Sequence, residues 1–196
     1  LPGNYTISWS DGTYETVTYD TPVSEIQLTS PVSLKFINPW GPEGGHLTIE
    51  EFKSWTDFSD NRIRYYSGPA EYSSTFQYTS GDTGNEKVLI DLGNVKEIAE
   101  VRINDQRAGT CWIAPFTAEI SGLLKEGENK LKVRVVNSWV NRLIGDSYLP
   151  AEQRSTRTNV LKFEGSDKEQ FLRKSGLLDS CRIVTFKEVE FRNFRN

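Results

Sequence analysis

Two stretches of this sequence place aromatic rings beside side chains that form hydrogen bonds. Tyr65 and Tyr66 form one stretch, and the other begins at Trp139 and ends at Asp146. Aromatic faces stack on apolar C–H groups, while amide, guanidinium and carboxylate groups pair with hydroxyls. A sugar ring carries both kinds of group, so this combination is suited to bind one. The candidate carbohydrate-binding residues are Tyr65, Tyr66, Trp112, Trp139, Asn141, Arg142 and Asp146.

The same residues also have a structural interpretation. Aromatic residues close to β-strands are most often buried, in which case Trp112 and Trp139 anchor a core or a domain interface. Arg142 and Asp146 would then form an ion pair that holds a loop in place. Burial is the more frequent outcome, so solvent exposure of the two tryptophans distinguishes a binding surface from a structural one.

No pattern in this sequence marks a catalytic site. Two carboxylates that hydrolyse a glycosidic bond must lie about 5 Å or about 6.5–9.5 Å apart. The acidic residues of the predicted strands have no spacing that fixes such a pair, and they include Glu71, Asp91, Glu100 and Glu119. His46 lies in a glycine-rich loop without a Gly-x-Ser-x-Gly motif, which indicates a loop or packing histidine. We therefore predict no catalytic residue.

The single histidine and the two cysteines limit the metal chemistry. One histidine excludes sites built from several, and the separation of Cys111 from Cys181 excludes zinc-finger spacing. The cysteines either form a disulfide, if the protein is exported, or stay buried thiols that pack like small apolar residues. Both lie next to residues of predicted strands, which favours the buried thiols.

The elements that would position these residues are almost all β-strands. Apolar and polar residues alternate in several runs, for example residues 70–78 and 131–135, as half-buried strands require. An Asp-Gly pair at residues 11–12 separates two such runs and predicts a hairpin over residues 4–19. The alternation fades over residues 146–176, which predicts a long loop with one or two helical turns. Regularly spaced strands predict a β-sandwich or barrel.

The composition suits one globular domain with a small negative charge. The chain has 196 residues and a net charge of −4, without the basic surface that nucleic-acid binding requires. We predict no membrane-spanning helix, because no run of about 18 apolar residues exists, and no signal peptide is visible. The chain lacks methionine and opens with Leu1-Pro2-Gly3, so we expect an excerpt from a longer protein.

Several motifs follow one another along the chain. The most specific is NSWVNRLIGD at residues 137–146, and the others lie within residues 63–76, 90–104, 112–131 and 175–178. Together they resemble the C-terminal β-sandwich of glycoside hydrolase family 106, the α-L-rhamnosidase family. The strand and turn motifs alone are shared with the sugar-binding domain of glycoside hydrolase family 2. The resemblance extends from residue 30 to residue 186.

The resemblance implies an all-β fold with a galactose-binding-like jelly-roll β-sandwich over residues 29–196. Residues 1–28 are then a hairpin and connector that belong to a preceding module. The parent would be an exported, α-L-rhamnosidase-like glycoside hydrolase whose catalytic barrel lies upstream. This part would be its non-catalytic accessory domain, which packs on the catalytic module and has carbohydrate as a second partner.

Two alternatives stay open beside this reading of the function. A freestanding carbohydrate-binding module would expose its aromatic residues on one loop face, and a purely structural spacer would bury them. The resemblance implies a periplasmic or extracellular location. No cofactor is predicted. A structural calcium ion, held by loop carbonyls and a carboxylate, is compatible with jelly rolls of this type, although no local ligand pattern marks it.

Overall fold

A computed structural model describes residues 3–19, 24–28, 31–81, 86–158, 163 and 168–187. In chain order, the strands of these residues are β1 (Gly3–Ser8), β2 (Tyr14–Tyr19), β3 (Ser24–Gln27), β4 (Val32–Phe36), β5 (His46–Ile49), β6 (Pro69–Tyr78), β7 (Glu86–Asp91), β8 (Val95–Lys96), β9 (Ile98–Ile103), β10 (Gln106–Cys111), β11 (Thr117–Glu119), β12 (Gly127–Val136), β13 (Gly176–Leu177) and β14 (Arg182–Lys187). The helices are α1 (Asn61–Arg64) and α2 (Val140–Ser147). The 3₁₀ turns are Trp55–Asp57, Ser121–Leu123, Ala151–Gln153 and Glu169–Phe171.

Two antiparallel sheets enclose the core as a β-sandwich. The larger sheet has the strand order β10-β9-β12-β6-β4-β5, and the smaller has the order β11-β7-β14-β3. Buried and exposed residues alternate along the strands, so each sheet turns one apolar face toward the core. In β12, Leu131, Val133 and Val135 are buried, while Lys130 and Arg134 are exposed on the other face. The predicted all-β sandwich is confirmed.

The N-terminal region divides into a separate hairpin and a strand of the sandwich. β1 and β2 pair with one another, as predicted, and Gly12 adopts a positive φ of 84° in the turn between them. β3 instead pairs with β14, with Ser24 opposite Thr185. The prediction that residues 1–28 contain only a hairpin and a connector is therefore wrong for β3. This strand belongs to the sandwich, and Ile26 packs against its core. The origin of the hairpin in an adjoining module stays a prediction.

The long segment after β12 contains a helix that the sequence analysis did not predict. Helix α2 has apolar residues at i, i+3 and i+4, namely Val140, Leu143 and Ile144. Farther along, the predicted helical turns correspond to the 3₁₀ turn Glu169–Phe171. The sequence also predicts a last strand from Arg182 to Phe191; β14 forms its part up to Lys187, and the part beyond lies outside the described residues.

An aromatic cluster fills the core at the end of β4. Ring centroids of Phe36 and Tyr66 lie 4.6 Å apart, and those of Trp55 and Tyr66 lie 5.6 Å apart, both in edge-to-face geometry. Trp55 Nε1 donates a hydrogen bond of 2.6 Å to the hydroxyl of Tyr72. The indole N–H is thus satisfied although Trp55 is fully buried.

A group of buried polar side chains ties α2 to the sandwich. Asn137 Oδ1 accepts a hydrogen bond of 2.8 Å from Gly68 N, and its Nδ2 donates to Tyr66 O at 2.9 Å and to Ser175 Oγ at 3.0 Å. Asn141 Nδ2 donates to the same Ser175 Oγ at 2.9 Å. The start of α2, the segment before β6 and the segment before β13 are therefore joined at one point.

Two further contacts strengthen this attachment. The Asn141 side chain pairs with both backbone groups of Arg173, because Nδ2 donates to Arg173 O at 2.7 Å and Oδ1 accepts from Arg173 N at 2.9 Å. The backbone N of Arg142 donates to Ser67 Oγ at 3.0 Å. An amide side chain that replaces a backbone partner in this way satisfies groups that could not be buried otherwise.

We expect Asn137→Ala to lower the free energy of unfolding by about 3 kcal/mol, because truncation removes the side-chain partner of Gly68 N and of Tyr66 O in a buried place and leaves Ser175 with one donor fewer. The matched variant Asn61→Ala, at an exposed position of α1, changes it by less than about 0.5 kcal/mol. Urea unfolding followed by tryptophan fluorescence measures both values. Equal, small losses for the two variants would contradict the role given to Asn137.

Both cysteines are free and buried, which confirms the interpretation as buried thiols rather than a disulfide. Burial raises the pKa of the Cys181 thiol to about 12 and raises that of Cys111 as well. Cys111 Sγ also donates to Thr117 O at 3.4 Å, across the edges of β10 and β11. Both side chains act as small apolar residues that close the sandwich.

The folded protein is expected to resist thiol alkylation at pH 8. With a pKa of about 12, Cys181 is a thiolate in only about one molecule in 10⁴ at that pH, and burial also excludes the reagent. Intact-mass spectrometry after iodoacetamide treatment should detect modification of the two cysteines only once denaturant is added. Rapid modification of Cys181 in the native protein would refute this expectation.

Candidate functional site

Three segments of the chain meet at one end of the six-stranded sheet. Phe36 on β4 pairs with Ala70 on β6, and Val136 on β12 pairs with Pro69. The ends of these strands are therefore level with one another. As a result, the loop after β4, the segment before β6 and the helix α2 after β12 lie side by side.

A cleft of about 1030 Å³ opens between these segments. Its residues come from the loop after β4, from α1 and α2, and from the long segment that follows α2. They are residues 36–45 together with Asn61, Arg62, Tyr65, Arg142, Gly145, Tyr148, Leu149, Ser155 and Glu169. Two of the predicted binding residues, Tyr65 and Arg142, thus line one cleft.

Tyr65 is held against α2 by a close approach that requires glycine. A Cβ atom on Gly145 would lie 2.6 Å from Tyr65 Cβ, which is too near for any other residue type. Tyr65 Oη donates a hydrogen bond of 2.6 Å to Glu169 Oε1, and Arg64 Nη2 donates one of 2.6 Å to Glu169 Oε2. Burial, followed by the Glu169 carboxylate, raises the pKa of Tyr65, so its hydroxyl stays protonated.

Arg142 and Asp146 form the predicted ion pair, and both are buried in α2. Arg142 Nη2 lies 2.9 Å from Asp146 Oδ1, but without the alignment of a hydrogen bond. Asp146 Oδ1 and Arg142 Nε are both buried and have no hydrogen-bond partner among the described residues. Asp146 Oδ2 accepts hydrogen bonds from Thr156 N at 2.7 Å and Thr156 Oγ1 at 2.6 Å. The pair therefore fixes the segment after α2 while Arg142 lines the cleft.

Aromatic rings border the cleft on two sides. Trp40 lines it and is fixed by a hydrogen bond of 3.0 Å from its Nε1 to Ser67 O. Trp139, 57% exposed, packs on Trp40 with ring centroids 6.0 Å apart and extends this aromatic surface. Tyr148, 45% exposed, faces the cleft from the end of α2. The sequence analysis missed Trp40 and Tyr148; the signal for Trp40 was its place in a loop rich in proline and glycine.

Other predicted binding residues lie outside this cleft. Tyr66 is fully buried, and its hydroxyl donates to Pro69 O at 2.7 Å and accepts from Asn38 N at 3.0 Å. Asn141 is buried in the polar group that ties α2 to the sandwich. Trp112 is 68% exposed in the loop after β10. The exposure of Trp112 excludes it from the core of this chain, and its role in binding stays a prediction.

An apolar row crosses the outer face of the six-stranded sheet, starting at the cleft. It consists of neighbouring positions at the ends of β4, β6, β12, β9 and β10, and its members are Ile37, Pro69, Val136, Ile98 and Trp112. The isoleucines, the valine and the tryptophan are all exposed. The next row on this face is polar or charged, and it consists of Lys35, Glu71, Arg134, Glu100 and Thr110.

Three of the groups considered for catalysis, Asp91, Glu100 and His46, have structural partners instead. Asp91 and Glu100 each accept a hydrogen bond from an arginine of the same sheet. His46 Nε2 lies 2.7 Å from Ser33 Oγ at an exposed sheet edge, and no acidic side chain of the described ranges pairs with it. A Ser-His-Asp arrangement therefore lacks its third member there.

The described residues offer neither a membrane-spanning helix nor a cluster of metal-ligating side chains. No helix among them combines the length and the apolar character needed to cross a membrane. These residues also contain no group of three or more His, Cys, Asp or Glu side chains placed to hold a metal ion. The structural calcium ion, which would depend on loop carbonyls, stays a prediction.

Comparisons with known proteins agree with this architecture. A protein of Formosa agariphila named "Putative beta-glucuronidase" is 39% identical, over 72% of this chain and 14% of its own length. The rhamnosidase from Novosphingobium sp. PP1Y has 28% identity and a TM-score of 0.72, over 87% of this chain and 16% of its own. The β-D-glucuronidase of Dictyoglomus thermophilum shares the fold at 19% identity and a TM-score of 0.62, over 87% of this chain and 29% of its own.

The chain therefore spans a small part of the length of these relatives. The sequence profile described as "Glycosyl hydrolase 2 galactose-binding domain-like" matches residues 54–177, which contain the strands β6 to β13, the helices α1 and α2, and nine of the nineteen residues that line the cleft. The chain belongs to this galactose-binding domain-like family of glycosyl hydrolase 2 domains.

Proposed function

We propose that this chain is a non-catalytic accessory domain of an exported, α-L-rhamnosidase-like glycoside hydrolase of family 106. Its first role is to pack on the catalytic module, and the periplasmic or extracellular location belongs to the same proposal. The observation that supports packing on the catalytic module is the apolar row on the outer face of the six-stranded sheet. Outward-facing strand positions exposed to water are normally polar, and a contiguous apolar patch at the surface marks an interaction site.

The sizes of the relatives support a place within a larger enzyme. This chain spans 16% of the Novosphingobium rhamnosidase and 14% of the Formosa agariphila relative. Most of each relative is therefore available to carry the catalytic module. The family 106 assignment, and a position downstream of the catalytic barrel, follow the motif at residues 137–146 rather than the family profile.

The carboxylates in the cleft support a non-catalytic role. Glu169 is hydrogen-bonded through both oxygens, to Arg64 and Tyr65. Glu43 lies 3.7 Å from Arg62, and its side chain is 91% exposed. A glycosidase acid must be held protonated by its surroundings while a second carboxylate stays ionised. Neither glutamate is placed in such surroundings.

Carbohydrate binding in the cleft is the second role that we propose. The rings of Trp40 and Tyr148 offer faces for stacking on a sugar, and the polar side chains of Asn61 and Ser155 are exposed beside them. A volume of about 1030 Å³ accommodates more than one sugar ring. The exposure of Tyr148 and of Trp139, which packs on the half-buried Trp40, favours a binding domain over a purely structural spacer.

Packing on the catalytic module is tested by placing a charge in the apolar row of the complete parent enzyme. Ile98→Lys should lower the melting temperature by several degrees, because it buries a charge at the interface (about 1–3 kcal/mol). Thr110→Lys adds the same charge one row away on the same face and serves as the control. Differential scanning calorimetry compares the two, and equal melting temperatures would mean that the row faces solvent in the enzyme.

Carbohydrate binding is tested by titrating oligosaccharides that contain rhamnose or galactose into the 196-residue chain. Trp40→Ala and Tyr148→Ala should each weaken binding about tenfold, because each removes a stacking surface. Trp9→Ala, at an exposed tryptophan outside the cleft, should not. Isothermal calorimetry gives the affinities, and thermal melts confirm that each variant folds. Loss of binding in Trp112→Ala alone would move the sugar site to the loop after β10.

A further inference from the structure

The apolar row and the cleft have one residue in common. Ile37 begins the row at the end of β4, and it also lines the cleft. The other four members of the row, Pro69, Val136, Ile98 and Trp112, do not line the cleft. The row therefore ends at the rim of the cleft and does not cross its opening.

The row alone is too small for a stable interface. Neighbouring strands lie about 4.8 Å apart, so the five positions of the row span about 19 Å. An interface of standard size buries about 800 Å² on each partner, which corresponds to a disc about 32 Å across. A module that docks on the row must therefore cover further surface around it.

The residues on the two sides of the row indicate where this further surface lies. On one side is the next row of the same face, which includes Lys35, Glu71 and Arg134. Covering these side chains would remove water from their charges. On the other side, past the strand ends, Trp139 is 57% exposed and Ile113 is 63% exposed. Aromatic and apolar residues are favoured at the centre of an interface, so the docked surface extends past the strand ends.

A hollow of about 440 Å³ joins the row to this surface. Its lining includes Ile98 and Val136 of the row, and also Val140 at the start of α2. Trp139 comes directly before Val140, and its ring packs on that of Trp40 with centroids 6.0 Å apart. Because Trp40 lines the cleft, a module that fills the hollow adjoins the aromatic side of the cleft.

We propose that the catalytic module of the parent enzyme forms the open side of the cleft, so that a glycan bound there is held between the two modules. This inference rests on the two roles of the proposed function, docking and carbohydrate binding, and it couples them. A glycan enclosed on one more side buries more of its apolar C–H surface and binds more tightly. By linkage, the bound glycan strengthens docking by the same factor.

Calorimetry with thio-linked oligosaccharides of rhamnose or galactose, chosen to resist hydrolysis, compares the 196-residue chain with the complete parent enzyme. In each protein, Trp40→Ala identifies the binding that belongs to the cleft. The Trp40-dependent affinity should be at least about tenfold higher in the parent. An equal or lower affinity in the parent would overturn the inference and leave carbohydrate binding intact. Absence of Trp40-dependent binding from both proteins would overturn the proposed function, and the inference with it.

A charge in the apolar row tests whether docking causes the higher affinity. Ile98→Lys in the parent should lower the Trp40-dependent affinity toward that of the 196-residue chain, because it disturbs the docked surface. The same substitution in the 196-residue chain should leave the affinity unchanged, since Ile98 does not line the cleft. Thr110→Lys, one row away on the same face, is the matched control in both proteins.

The melting temperatures of these variants separate the inference from the packing role. A parent in which Ile98→Lys lowers the melting temperature but not the affinity would keep the packing role and refute the coupling. Equal losses of affinity in the parent and in the 196-residue chain would mean that Ile98→Lys acts through the fold of this domain, and they would refute the coupling too.

Discussion

Hydrogen bonds among Asn137, Asn141 and Ser175 decide where the chain runs after it leaves β12. Buried amide groups are costly when unpaired, so the arrangement that satisfies all of them is strongly preferred. That arrangement places α2 against the segment before β6 and holds the segment before β13 beneath it. Tyr65 and Glu169, on two of these segments, then meet at the cleft. The cleft therefore depends on contacts that are themselves shielded from any ligand.

A second constraint comes from placing Arg142 inside the protein. A guanidinium removed from water is tolerated only beside an opposite charge, and removal of that charge is strongly destabilising. Asp146 supplies it from the next turn of α2, and its other oxygen binds Thr156. One carboxylate thus neutralises the wall of the cleft and fixes the chain behind it. The same ion pair therefore serves both the fold and the wall of the cleft.

Local patterns predicted the parts of the fold that depend on local spacing. Alternating residues such as Val133 and Val135 mark the strands because their burial follows a period of two. Helix α2 was missed because several of its buried residues, including Asn141 and Asp146, are polar and conceal the apolar stripe. The strand β3 was missed because its partner β14 is far away in sequence. The exposure of Trp112 could not be foreseen, since residues that adjoin strands are usually buried.

The pairing of Ser24 with Thr185 has a consequence for how the sandwich can be joined to other domains. Directly opposed residues of antiparallel strands have Cα atoms about 5 Å apart, so the chain enters and leaves the sandwich at nearly the same point. A domain with this geometry can be inserted into a surface loop of a host protein without forcing the two ends of that loop apart. Both connections to the host would then leave from the β3–β14 edge of the sandwich.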